Sequence, residues 1–141
     1  MAKKINSFTD LEAWQVAHSF AVTVYRATKK FPASEQYGLS SQLRRASVSI
    51  GSNIAEGFTR QSTKEKIQFY SVARGSTVES QSQLLLPRDV EFLTVDECKI
   101  LIDQSIRVHK LVNGLISSVK SWSLPNTKSQ IPKASVKLEV Q

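Results

Sequence analysis

The sequence predicts an all-α protein, an antiparallel up-and-down four-helix bundle followed by a disordered C-terminal tail. Three observations carry that prediction. Four segments repeat apolar residues at three- and four-residue steps, and none sustains the alternation of a half-buried strand. Three of the four open on a hydroxyl residue with glutamate three positions later (Thr9 and Glu12, Ser62 and Glu65, Thr94 and Glu97). Such a pair satisfies two orphan backbone donors reciprocally at a helix start. The connections between the segments are short, which makes successive helices antiparallel neighbours. A chain of 141 residues has the length of one domain. The reading divides it into a bundle over residues 1–121 and a basic tail over 122–141.

The first helix starts from the Thr9 and Glu12 cap and places Leu11, Trp14, His18, Ala21, Tyr25 and Thr28 on one face, with Phe20 and Val24 beside it. It ends near Lys30, because Pro32 pushes Phe31 toward extended geometry. The second opens near residues 37–40 and aligns Leu39, Leu43, Ala46, Ile50 and Ile54. It is expected to stop at Gly57, the favoured residue for a left-handed C-terminal cap. The third follows the Ser62 cap and presents Tyr70, Ala73, Thr77 and Leu84; its middle, "RGSTVESQSQ", is poor in helix formers and must be held by packing. Pro87 ends or kinks it. The fourth runs from Thr94 to about Lys120, with Leu101, Val108, Val112, Leu115 and Val119 on its main face.

Composition bounds the function. The single cysteine, Cys98, forms no intramolecular disulfide, and no run of about 18 apolar residues is present to span a membrane. The N-terminus lacks the apolar core of a secretory signal, so a cytoplasmic protein is expected. A net charge of +7 attracts polyanions, nucleic acid first and acidic membrane surface second, beside the plainer reading of charge for solubility. Part of the excess, Lys128, Lys133 and Lys137, lies in a Pro-punctuated polar stretch expected to be disordered. The first helix is apolar over roughly 240° of its circumference, against the ~100° that one core requires. On the fourth, Ile102 and Ile106 project outside the main stripe. Both excesses point to self-association, with Ile102 and Ile106 as interface residues.

The stretch "RRASVSIGSNIAEGFTRQS", residues 44–62, is the densest in chemistry. It is not a phosphate-binding loop, because Gly51 is followed by Ser52 and Asn53, with no lysine before Lys64. Read as a helix, Ser47, Gly51 and Ala55 form a ridge of small residues that lets a neighbouring helix approach closely. Asn53, Glu56 and Arg60 share another face, with Glu56 and Arg60 at a favourable spacing for an ion pair. These three are either a site or a structural network, and the structural reading is preferred, with Arg45 and Gly57 included in it.

Catalytic and metal chemistry find little support. His18 lies among the apolar residues of the first helix and reads as a packed histidine, and His109 has no evident partner. No Glu-x-x-His pair builds a di-iron bundle, and one cysteine with two distant histidines has no structural-zinc spacing. Neither histidine follows an arginine at the spacing of helical ribonucleases. Cys98 reads as a small buried hydrophobe. The protein is therefore expected not to be an enzyme and to carry no cofactor and no metal.

Phe31-Pro32, Glu35 with Gly38-Leu39, Gln42-Leu43-Arg44-Arg45-Ala46, Ser49-Ile50, Asn53-Ile54-Ala55-Glu56-Gly57, Arg60 and Gly75-Ser76 occur in the order of a known pattern. From about Phe8 to Ser118 the chain resembles the 23S rRNA intervening-sequence proteins, also called four helix bundle proteins. The resemblance implies a homopentameric ring of four-helix protomers without enzymatic activity. Some members are encoded inside intervening sequences of bacterial 23S rRNA genes, and similarity to the basic accessory proteins of diversity-generating retroelements implies nucleic-acid contact. The chain departs from the pattern at Gly51, where proline is frequent, at Ser80 and Gln81, which replace Leu-Glu, and at Pro87. The last two bear on the contacts and length of the third helix.

Two functions follow. In one, an oligomer binds RNA or DNA through phosphate contacts with little sequence preference, using Arg44, Arg60, Lys64 and Lys66. Arg45 is the arginine of the adjacent pair assigned to structure. In the other, the oligomer is a scaffold or accessory subunit for another protein. No helix joins a basic face to a lone apolar face, which argues against membrane binding.

Overall fold

The computed structural model describes residues 4–123. Helix α1 spans Glu12–Thr28, α2 Leu39–Thr59, α3 Thr63–Asp89 and α4 Val95–Ser123. Successive helices pack against each other and α1 closes the square against α4, giving the four-helix bundle in up-and-down order. Helix α4 carries two residues past the expected boundary at 121, and the remainder of the expected tail, 124–141, lies outside the described residues.

The core is built from Phe20, Leu43, Ile50, Ile54, Leu84, Leu101, Val108 and Val112, all fully buried. Every residue aligned on the expected faces of the second and third helices is buried. Helix α4 differs at its end, where Ile116 is buried and Leu115 and Val119 lie half-buried at the core's edge.

Helix α1 turns a different stripe inward from the one expected. Its buried residues are Ala13, Ala17, Phe20, Val24 and Thr28, while His18 and Tyr25 are exposed and Trp14 is half-buried. The rotation is about one residue, ~100°. Both stripes are apolar by composition. The one made of alanine, phenylalanine and valine goes inside, and the one carrying His18 and Tyr25, whose rings have polar tips, stays at the surface. His18 is thus not a core histidine; it stacks on Trp14, with centroids 4.8 Å apart.

Two helix ends also differ. The cap expected from Thr9 and Glu12 forms instead between Ser7 and Asp10 around a short 3-10 turn, Phe8–Asp10. Thr9 Oγ1 shares a hydrogen bond with Ser7 Oγ, and Glu12 pairs with Arg107 of α4 at 2.8 Å. Gly57 is not a left-handed cap. No glycine has a positive φ among the described residues, and α2 continues to Thr59 with Gly57 buried inside it. Its role is close approach, since a Cβ there would lie 2.6 Å from Cε1 of Tyr70 on α3.

Helix α3 is continuous despite its weak propensity. Ser80, fully buried, donates to the Ser76 carbonyl at 2.9 Å, and Thr77 to the Ala73 carbonyl at 2.8 Å. Hydroxyls satisfied on their own helix need no partner across the core, and their small size permits tight packing. Pro87 neither breaks nor shortens the helix appreciably: it sits buried in the last turn before Asp89. Its carbonyl then accepts from the Phe92 and Leu93 amides, at 2.8 and 3.1 Å, as the chain reverses.

Candidate functional site

The structure separates the four cations expected to bind together. Arg44 lies near the start of α2, whereas Arg60, Lys64 and Lys66 lie at its far end or beyond, with roughly 24 Å of helix between Arg44 and Arg60. Arg60 pairs with Glu56 at 2.8 Å and covers the Phe69 ring at 4.7 Å. Asn53 Nδ2 donates to the Ser49 carbonyl at 2.8 Å and to Ser49 Oγ, which shares a hydrogen bond with Ser76 Oγ of α3. Asn53 and the Glu56–Arg60 pair therefore belong to separate contacts, and Arg45 joins neither.

Lys66 is not free for a ligand. Its ammonium donates to the Gly57 and Phe58 carbonyls, at 3.3 and 2.8 Å, and burial lowers its pKa from the ordinary lysine value. These carbonyls belong to the last turn of α2, where Gly57 also accepts from the Arg60 amide at 3.3 Å and Lys66 supplies further donors to acceptors the helix leaves exposed. Lys66→Met is expected to lower stability by about 1 kcal/mol, and Lys64→Met, at an exposed and unpaired position, to change it by less than ~0.5. Urea titration of the two variants checks the contrast.

The adjacent arginines exchange their expected roles. Arg44, half-buried, donates through Nε to Thr28 Oγ1 at 2.8 Å and stacks over the Tyr25 ring at 4.5 Å, tying α2 to α1. Arg45 is exposed and makes no hydrogen bond or ion pair among the described residues.

Around this pair the structure assembles a feature with no local signature. A cleft of about 430 Å³ opens beside the α1–α2 connection, with Tyr25, Lys29, Tyr37, Arg44 and Arg45 along its walls. Lys29 and Arg45 have no carboxylate partner, in contrast to Lys30, Arg60, Arg88, Lys99 and Arg107, each paired with an acidic residue. The one acid within the connection, Glu35, accepts from the Leu39 amide at 3.2 Å and is occupied at the start of α2. The cleft presents cations whose charge is not locally neutralised.

Through Tyr25 and Lys29 the cleft joins a second groove of about 600 Å³, along the outer seam of α1 and α2. This groove holds the stripe of α1 once expected to face the core, Trp14, His18, Ala21 and Tyr25, opposite Ser47, Gly51 and Ala55. The small-residue ridge thus accommodates a side chain rather than a helix backbone, since a Cβ on Gly51 would meet Trp14 Nε1 at 3.4 Å. Arg26, exposed and unpaired, lies along the same groove.

On α4, Ile106 is 53 % exposed, while Ile102 is half-buried against the core. Val78 and Leu85 on α3 are also exposed. Asn113 bridges the two helices, accepting from Arg74 Nη1 at 3.0 Å and contacting His109 Nδ1 at 3.3 Å, so His109 does have a partner. Cys98 is buried, its Sγ lies 3.6 Å from the Leu84 carbonyl, and burial raises the pKa of its thiol. Among the described residues, no cluster of three metal-ligating side chains occurs, and no helix is long and apolar enough to cross a membrane.

The sequence pattern that singled out residues 44–62 found Arg44 and Arg45 but missed Lys29, Arg26 and Tyr37. The available signal was the basic and aromatic content of "RATKKFPASEQY" around its proline turn. Only the antiparallel return of α2 brings that segment beside Arg45.

Comparisons with known proteins agree with this architecture. The model of the family described as 23S rRNA-intervening sequence protein matches residues 9–114. Among solved structures, the chain is similar to a protein of unknown function from the S23 ribosomal protein family of Bacteroides thetaiotaomicron. The identity is 24% and the TM-score 0.69, over 74% of this chain and 95% of that one, a likeness of fold. No curated protein matches the sequence. Since the family model spans most of the bundle, from the turn before α1 into the last third of α4, the chain belongs to the 23S rRNA-intervening sequence protein family.

Proposed function

We propose that the protein is a non-enzymatic, cytoplasmic accessory protein that binds nucleic acid through the cleft at the α1–α2 connection. The observation that carries this reading is the uncompensated charge of Lys29 and Arg45 in one concavity, reinforced by Arg44. Cations without carboxylate partners are available to phosphates at no cost in broken ion pairs, and phosphate contacts give affinity without sequence preference. The family description refers to 23S rRNA intervening sequences, which makes an rRNA fragment the first ligand to test.

The binding unit is a homo-oligomer, with five copies implied by the family resemblance. Supporting this, exposed apolar surface lies along the α1–α2 groove and, through Val78, Leu85 and Ile106, along the α3–α4 seam. In a square of helices these are opposite sides. Two unlike faces on opposite sides favour head-to-tail association, which gives a ring when the rotation closes. Light scattering on the purified protein is expected to give a closed oligomer; a monodisperse monomer at micromolar concentration overturns this part.

Fluorescence anisotropy with a labelled rRNA fragment tests the binding reading. If Lys29, Arg44 and Arg45 each neutralise one single-strand phosphate, log affinity falls against log salt with a slope of about −2 per cleft. Repeated clefts on one ligand add avidity. Arg45→Glu, in the cleft but outside the α1–α2 groove, is expected to weaken binding and to flatten the slope by about 0.7, without changing the oligomer. No binding at about 50 mM salt overturns the reading in favour of a protein scaffold.

A further inference from the structure

We propose that the cleft selects unpaired nucleotides, with a base stacked on Tyr37 and the flanking phosphates on Lys29 and Arg45. This rests on the nucleic-acid reading above and adds the form of the ligand, single-stranded rather than duplex.

Tyr37 is 91 % exposed, the most exposed of the large apolar and aromatic side chains among the described residues. A lone surface tyrosine is ordinary. What sets this one apart is its place on the wall of a concavity that also holds Lys29, Arg44 and Arg45. Its neighbour Tyr25 already has its face covered by the Arg44 guanidinium, at 4.5 Å. Tyr37 has no such partner: neither a ring nor a cation stacks on it.

Tyr37 sits on an ordered turn, with its side chain in solvent. Gln36 N donates to the Ala33 carbonyl at 3.1 Å, Gly38 N to the Glu35 carbonyl at 3.0 Å, and α2 begins at Leu39. The hydrogen-bonded turn fixes the backbone at Tyr37, so binding has only the side-chain torsions left to order. Free aromatic faces beside cations are the recurring design of single-strand sites, where every base offers a π-face and sequence matters little. In a duplex those faces are covered by neighbouring base pairs, so the ring has nothing to stack on and only the phosphate contacts remain. The cleft volume of about 430 Å³ lies within the roughly 300–1,000 Å³ range of small-ligand sites.

Full-length protein titrated with a labelled single-stranded RNA of mixed sequence, and with the same strand annealed to its complement, tests the proposal at low salt. The single strand is expected to bind about tenfold tighter or more. Tyr37→Ala should weaken single-strand binding by roughly 5- to 150-fold, the loss of one base–aromatic stack, while Tyr37→Phe keeps affinity within about twofold. Duplex affinity should be unchanged by Tyr37→Ala. Because the ring is exposed, thermal melts of both variants should match the parent. Equal affinity for the two RNAs, or a Tyr37→Ala variant that binds the single strand as well as the parent, overturns the single-strand assignment and leaves phosphate binding standing. Absence of binding to either RNA overturns the nucleic-acid reading and this proposal with it.

Discussion

Gly57→Ala is expected to destabilise the bundle by about 1–3 kcal/mol, although alanine is the better helix former by ~1 kcal/mol. The added Cβ would stand 2.6 Å from Cε1 and 2.8 Å from Cδ1 of Tyr70, and 3.2 Å from Cβ of Phe69. Tyr70 is 3 % exposed, so its ring cannot move away without disturbing the core. The Phe69 contact involves an atom fixed to the α3 backbone, so the helices themselves must separate. Gly75 supplies the control. It lies exposed within α3, and a Cβ there meets nothing within 4 Å. Gly75→Ala should therefore raise stability by roughly 0.5–1 kcal/mol through helix propensity alone. Urea denaturation of both variants checks the pair. A neutral Gly57→Ala would mean that α2 and α3 are not in close contact at this crossing.

Phe20→Ala should cost about 3–5 kcal/mol, the range for deleting a buried phenylalanine and leaving a cavity. Phe20 is fully buried among Leu43, Ile50, Leu84, Leu101 and other core residues. His18→Ala, two positions earlier on the same helix, removes only an exposed ring stacked on Trp14 and should change stability by less than about 1 kcal/mol. The contrast tests which stripe of α1 faces the core. The reverse ordering of the two losses would restore the Trp14, His18 and Tyr25 stripe to the interior.

Much of the bundle was legible because its signals act over a few residues. Thr94 with Glu97 forms the full reciprocal cap of α4, while at α3 the Ser62 hydroxyl accepts from the Glu65 amide and donates to the Glu65 carboxylate, leaving only half of the expected pair; both need no more than one turn. The single apolar stripe of α2, from Leu39 to Ile54, left one way to face the core. Length, short connections and these stripes were enough for the fold class.

The candidate site was only half legible. Arg44 and Arg45 stood out as adjacent charges, but nothing local distinguishes the arginine that bonds Thr28 from the one left in solvent. That difference arises because α1 crosses α2 with Thr28 and Tyr25 on the Arg44 side. Lys66 likewise read as an exposed charge until the end of α2 placed two carbonyls within its reach.

By itself, the sequence determined four helices, most of their ends, their order and the family to which they belong. Only the tertiary structure decided which of the two apolar stripes of α1 is buried, why Gly57 must be glycine, and which cations share a cleft. Caps and periodicity depend on hydrogen bonds and faces within a turn or two. Burial of a stripe, clearance at a glycine and neutralisation of a charge depend on what a helix distant in sequence brings against it, and that is fixed by shape complementarity across the packed bundle.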